Sequence, residues 1–150
     1  DWPAGTEVEE MNWGPIAIVQ KFQEMEALYD RIILLAAIER QARTIGEIDV
    51  FRWMGGLPDA EMIQACIGDA VTGVISVENL LIIGEHFKIW PGETFIVDVE
   101  PGPETAGREF TAEMQQVIPD FIGTIRHLCT ADNAESIKFK EISGDALTDA

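Results

Sequence analysis

Apolar residues recur with helical spacing through the first third of the chain. Ile18, Phe22, Met25, Tyr29, Ile32 and Ala36 follow steps of four and three, and Leu28, Leu35, Ile38, Ala42 and Ile45 form a second stripe around the same helix. Gly14-Pro15 offers a start, because proline is preorganised for the first helical position, and Gly46 offers a C-terminal stop. The pattern predicts one long N-terminal helix from Pro15 to Gly46. At its middle, Ile32 to Ile38 is an unbroken apolar run, IILLAAI. A helix that is apolar all round must be enclosed all round, so this run marks either the centre of the fold or a surface that another subunit covers.

The next segments change rhythm. Ile48 to Trp53 reads as a short strand or a loop with buried aromatics, ended by Gly55-Gly56. Pro58 starts a second helix with Asp59 and Glu61 in its first turn, where the helix dipole favours acids, and Met62, Ile63, Cys66, Ile67 and Ala70 form its inner face. Gly68, Gly73 and the β-branched residues Val71, Thr72, Val74 and Ile75 predict a break. Ser76 then caps a third helix that runs through Phe87.

After Pro91-Gly92 the pattern becomes strand-like. From Thr94 to Glu100, Phe95, Val97 and Val99 alternate with Thr94, Ile96, Asp98 and Glu100, one apolar face against one mostly polar face. Thr105 to Cys129 carries a helical stripe that continues through Pro119, which predicts one kinked helix or two nearly collinear ones. Ser136 to Ile142 alternates again, with Ile137 and Phe139 opposite Lys138 and Lys140. A crossover between these two strands would place Lys138 and Lys140 beside Asp98 and Glu100, with parallel and antiparallel pairing both open. The fold class expected is therefore α+β: a long N-terminal helix and helical middle followed by a C-terminal strand-helix-strand unit.

Residues 1–14 lack periodicity and read as an extended arm, 15–144 as a single globular domain and 145–150 as a frayed tail. Trp2 and Trp13 on the arm are costly to leave wet and are expected to dock on the domain or on a neighbour. Trp2 and Trp13, together with Ile33, Leu34, Leu35 and Ile38 of the apolar run, form the expected interface.

Charge narrows the partners. Ten Lys and Arg stand against 27 Asp and Glu, a formal net charge of -17, which argues against direct binding to nucleic acid or to anionic membranes. The acids are dispersed, as on a solvated acidic surface, whereas an inhibitor mimicking nucleic acid needs them gathered into a stripe. Cys66 and Cys129 both lie in apolar helical patterns and read as reduced, buried thiols, which favours a reducing compartment or an assembled particle over secretion. No apolar stretch approaches the ~18 residues needed to span a bilayer.

Candidate chemistry is sparse. His127 and Cys129 project about 200° apart on a helix, so they cannot ligate one ion together. Asp98 and Glu100 share a strand face about 7 Å apart, a spacing open to a hard cation or to paired-carboxylate catalysis, but solvated acids matched by the strand lysines account for them more simply. Glu85 beside His86 offers an acid/base pair that faces two directions. Arg40 and Arg43, one turn apart on the expected helix, suit an anion, yet Glu39 and Glu47 nearby suggest ordinary surface pairing. No phosphate loop, nucleophile elbow or metal-ligand pair occurs, so no catalytic, cofactor or metal residue is assigned and no cofactor is implied. The function expected is that of a non-enzymatic structural or interaction protein. It would be an acidic subunit assembling as a homo- or hetero-oligomer, for example in a virion or other large particle. A small enzyme or ligand-binding domain using these carboxylates and histidines is the alternative, and a nucleic-acid mimic a further one.

Overall fold

A computed structural model of the 150-residue chain describes residues 1–11, 14–40, 42–72, 76–102 and 110–149. The described residues combine four helices with a four-stranded sheet. In chain order these are α1 (Pro15–Glu24), β1 (Arg31–Ala37), β2 (Ile48–Trp53), α2 (Ala60–Val71), α3 (Val77–His86), β3 (Glu93–Val99), α4 (Ala112–Thr130) and β4 (Lys140–Ile142). Short 3-10 turns occupy Ala134–Ser136 and Asp145–Asp149.

The long N-terminal helix expected from Pro15 to Gly46 does not form. Helix α1 has only ten residues and ends where Met25 turns extended, and the apolar run that seemed its centre is strand β1. Periodicity alone cannot separate a short apolar run in a sheet from a buried helix. Seven residues suit a strand better than a helix, and Ile32 and Ile33 are β-branched. Gly46, at φ 88°, closes no helix but sits in the connection leading to β2, where Ala42 also takes a positive φ of 70°. At Gly46 a side chain would run into Val117, so both backbone angle and space call for glycine there.

The strands hydrogen bond in the order β1-β3-β2-β4. Strands β1 and β3 run parallel: Arg31 meets Glu93 where both begin, and the Ile38 N–H donates to Val99 O where both end. Strand β2 is antiparallel to β3, since the Glu100 N–H donates to Glu47 O while Arg52 reaches Gly92 O. Strand β4 is parallel to β2, with Met54 N–H donating to Ile142 O and Gly144 N–H to Gly55 O. The C-terminal strand-helix-strand succession exists in sequence, but β2 lies between its two strands, so β3 and β4 are not neighbours. The last strand is also shorter than its alternation predicted, because Ala134–Ser136 forms a turn and Lys138 precedes β4.

Contacts divide the chain into two units. One comprises 8–32, 52–95 and 141–150. In it α1, α2 and α3 pack on one another, and Phe22 meets Tyr29 and Trp90 edge-on. The Trp90 indole donates to Leu81 O, and its ring lies so close to Gly84 that no Cβ fits there. Ser76 caps α3 by accepting from the Asn79 amide, as its sequence position predicted, while Asp59, expected inside the first turn after Pro58, is instead the cap of α2 and accepts from the Met62 amide. Cys66 is a buried free thiol donating to Asn79 Oδ1, and burial, with Asp69 and Glu78 nearby, pushes its pKa up.

The other unit comprises 1–7, 33–51 and 96–140. Here α4 continues unbroken through Pro119, is capped by Thr111, and buries Ile125 and Leu128. The part of β3 in this unit, Ile96 to Val99, and Glu100 after it are buried on both faces.

Candidate functional site

The face of β3 expected to be wet holds the densest charge cluster among the described residues. Alternation puts Thr94, Ile96, Asp98 and Glu100 on one side of the strand. Asp98 is fully buried and Glu100 is 6% exposed. Neither carboxylate is solvated, and neither is matched by the strand lysines. Their partners are arginines from the segment following β1. Arg40 donates from Nε and Nη2 to Asp98 Oδ2 at 3.1 and 2.7 Å, and its backbone N–H donates to Glu100 Oε2 at 2.8 Å. Arg43 donates to Asp98 Oδ1, to Glu100 Oε2 at 3.2 Å, to Asp49 Oδ2 at 3.0 Å and to Ile38 O at 2.7 Å.

Antiparallel pairing sets Asp49 of β2 beside Asp98 on the same face, and Lys140 closes the cluster by donating to Asp49 Oδ1 at 2.8 Å. Arg40 and Lys140 both stack over Phe51, with the cation 5.1 and 5.9 Å from the ring centre. Three cations thus face three carboxylates, and no buried side-chain polar atom among the described residues lacks a partner.

The titration of Glu100, Asp49 and Arg43 follows from that geometry. The Arg40 backbone N–H, aided by Arg43 and the Gly102 N–H, holds the Glu100 carboxyl below its ordinary range against the opposing effect of burial. Lys140 and then Arg43 do the same for Asp49. Burial pulls the Arg43 guanidinium down, but its bonds to Asp98 and Asp49 and the nearby charge of Asp98 outweigh that and leave its pKa raised. Every resolved shift in the cluster stabilises the ion. Such groups do not exchange protons near neutral pH, so the arrangement suits holding the backbone together rather than general acid/base work.

The other candidate residues are dispersed. Glu85 accepts the Trp53 indole N–H at 3.0 Å, a structural tie between α3 and β2. His86 packs edge-on against Phe87. His127, on α4, lines a shallow groove of about 420 Å³ with Val50, Gly123, Thr124, Leu128, Ser136, Ile137 and Lys138. Among the described residues no group of three His, Cys, Asp or Glu side chains could hold a metal, and no helix is long and apolar enough to cross a membrane.

The expected interface residues lie mainly on β1, at one end of the sheet. Ile33, Leu34 and Ile38 are half-buried, while Leu35 is 50% exposed and Ala37 is exposed. Trp2 is 38% exposed, with the Arg126 guanidinium stacked 5.4 Å from its ring centre. Trp13 lies outside the described residues.

The sequence reading missed the joining of Arg40 and Arg43 to Asp98 and Glu100 because a helix through Gly46 would have held the arginines on its surface. The available signal was the alternation itself: two acids on one face of an otherwise apolar strand need cations if that face is covered. Compared with family models, curated proteins and solved structures, the chain matches none.

Proposed function

We propose that this chain is a non-enzymatic assembly subunit whose docking element is the outer edge of β1. One observation carries the reading: the most apolar strand of the molecule is the terminal strand of its sheet, with Leu35 half exposed. Terminal strands are normally guarded by lysine, proline or a bulge, since their outward N–H and C=O groups template further pairing. Between Arg31 and Glu39, β1 has none of these side chains. The Ile38 N–H points toward β3, so alternate residues Ala36, Leu34 and Ile32 face inward along the ladder, and Ile33, Leu35 and Ala37 present their backbone groups outward. Strand addition uses just such a row. The charge cluster supports the non-enzymatic half of the reading, because the Glu100 and Asp49 carboxyls are held below their ordinary range by the Arg40 N–H, Lys140 and Arg43.

Residue-resolved amide exchange on dilute protein tests this. The amides of Ile33, Leu35 and Ala37 are expected to exchange at least tenfold faster than those of Leu34 and Ala36. Uniform protection along β1 in dilute solution means that the edge is already covered, and overturns the proposal.

A further inference from the structure

We infer that the strand added to β1 is the same strand of a second copy, antiparallel to it and centred on Leu35; this rests on the docking reading above. In an antiparallel pair, residues that exchange both backbone hydrogen bonds stand directly opposite one another. Only outward-facing residues can do so, and on β1 these are the odd-numbered ones. That rule leaves a small set of registers, in steps of one residue about the twofold axis, and charge chooses among them. Centring on Leu35 sets Leu35 against Leu35 of the other copy, Ile33 against Ala37, and Arg31 against Glu39.

Centring on Leu34 instead places Arg31 against Ala37 and Glu39 against Tyr29, and centring on Ile33 moves the charges further out of step. The Leu35 register alone gives the twofold pair an ion pair at each end, on the same sheet face as the exposed leucines. Arg31 already holds Glu93 through Nε and Nη2 and lies over the Phe95 ring, so in the pair its charge is shared between Glu93 and the incoming Glu39.

Net charge favours the same partner surface. Two copies of a chain at -17 repel unless they meet where acids are few. From Arg31 to Arg40 the chain carries a single acid, Glu39, and its two arginines offset Glu93 and Asp98, which leaves this edge poor in charge within an acidic molecule. A closed twofold contact of this kind is isologous, so the one strand supplies both halves of the interface.

The test is register-specific cross-linking of the full chain. Directly opposed residues of a hydrogen-bonded antiparallel pair have Cα atoms about 5.5 Å apart, within disulfide reach. Under mild oxidation Leu35→Cys is expected to give a covalent dimer on non-reducing electrophoresis. Ala37→Cys is not, because the two copies of that position lie about 13 Å apart along the strands. Adding Glu39→Arg to Leu35→Cys sets like charges opposite at both ends and is expected to slow dimer formation about tenfold. Sedimentation of the unsubstituted chain over rising concentration supplies a readout independent of any variant, with a monomer-dimer shift expected.

A chain monomeric at the highest concentration, with no Leu35→Cys dimer, overturns the second copy as partner. If Ala37→Cys cross-links as fast as Leu35→Cys, the register is overturned. In either case fast exchange at Ile33, Leu35 and Ala37 in dilute protein leaves the open-edge reading standing, whereas protection there defeats both.

Discussion

Strands β1 and β3 are both seven residues long and lie side by side in parallel, yet their environments are the reverse of their compositions. Strand β1, RIILLAA, has one charge at its start and is half open to solvent. Strand β3, ETFIVDV followed by Glu100, carries three acids in eight residues and is buried almost throughout. Burial here follows position in the sheet and the supply of partners, more than hydropathy. A central strand has neighbours on both edges, so its polar side chains must find counter-ions, and the segment after β1 delivers Arg40 and Arg43 for that purpose. An edge strand has one neighbour, and its apolar side chains stay partly wet.

The contrast can be broken first at its apolar side. Phe95→Ala empties a fully buried site and is expected to cost about 3–5 kcal/mol in urea unfolding. Leu35→Ser, on the neighbouring strand, is expected to stay within about 0.5 kcal/mol for the monomer, as for other exposed sites. Equal costs would mean that β1 is covered in the working form even at low concentration.

Acid sharpens the charged side. Glu100 and Asp49 are held below their ordinary values of 4.5 and 3.8. A carboxyl with a depressed folded pKa adds stability that is fully present above its unfolded pKa and is lost as pH falls through the folded one. Circular dichroism from pH 5 to pH 2 should therefore show the fold weakening below about pH 4. Arg43→Met, which removes the cation shared by both groups, should flatten that dependence. An unchanged slope in the variant would show that Arg43 is not the source, leaving the Arg40 N–H and Lys140 to hold the two carboxylates.

Sequence periodicity located α2, α3, β3 and α4, with Ser76 as a cap and Pro119 carried inside a helix. These elements announce themselves through long repeats or through local chemistry such as a capping hydroxyl. Strand β1 did not, because Ile32 to Ile38 is apolar in every phase and happens to continue the stripe of Ile18, Phe22 and Met25. Six intervening residues, Met25 to Asp30, end α1 without proline or glycine, so no punctuation marked the break. The charge cluster was legible only in its parts. Asp98, Glu100, Arg40 and Arg43 each stood out in the sequence, but their meeting depends on β1 pairing with β3, a long-range fact that local pattern does not contain. Lys140 was matched to the wrong acids for the same reason: with β2 between β3 and β4, its neighbour is Asp49.

The acidic strand sits at the heart of the sheet because two arginines hold it there. Urea unfolding of Asp98→Ala tests it most directly, since this change leaves Arg43, whose side chain is 8% exposed, short of its buried partner. The expected result is a loss of roughly 3 kcal/mol with the slope of the transition unchanged. A variant within about 0.5 kcal/mol of the unsubstituted chain, the tolerance of an ordinary surface site, would contradict the account.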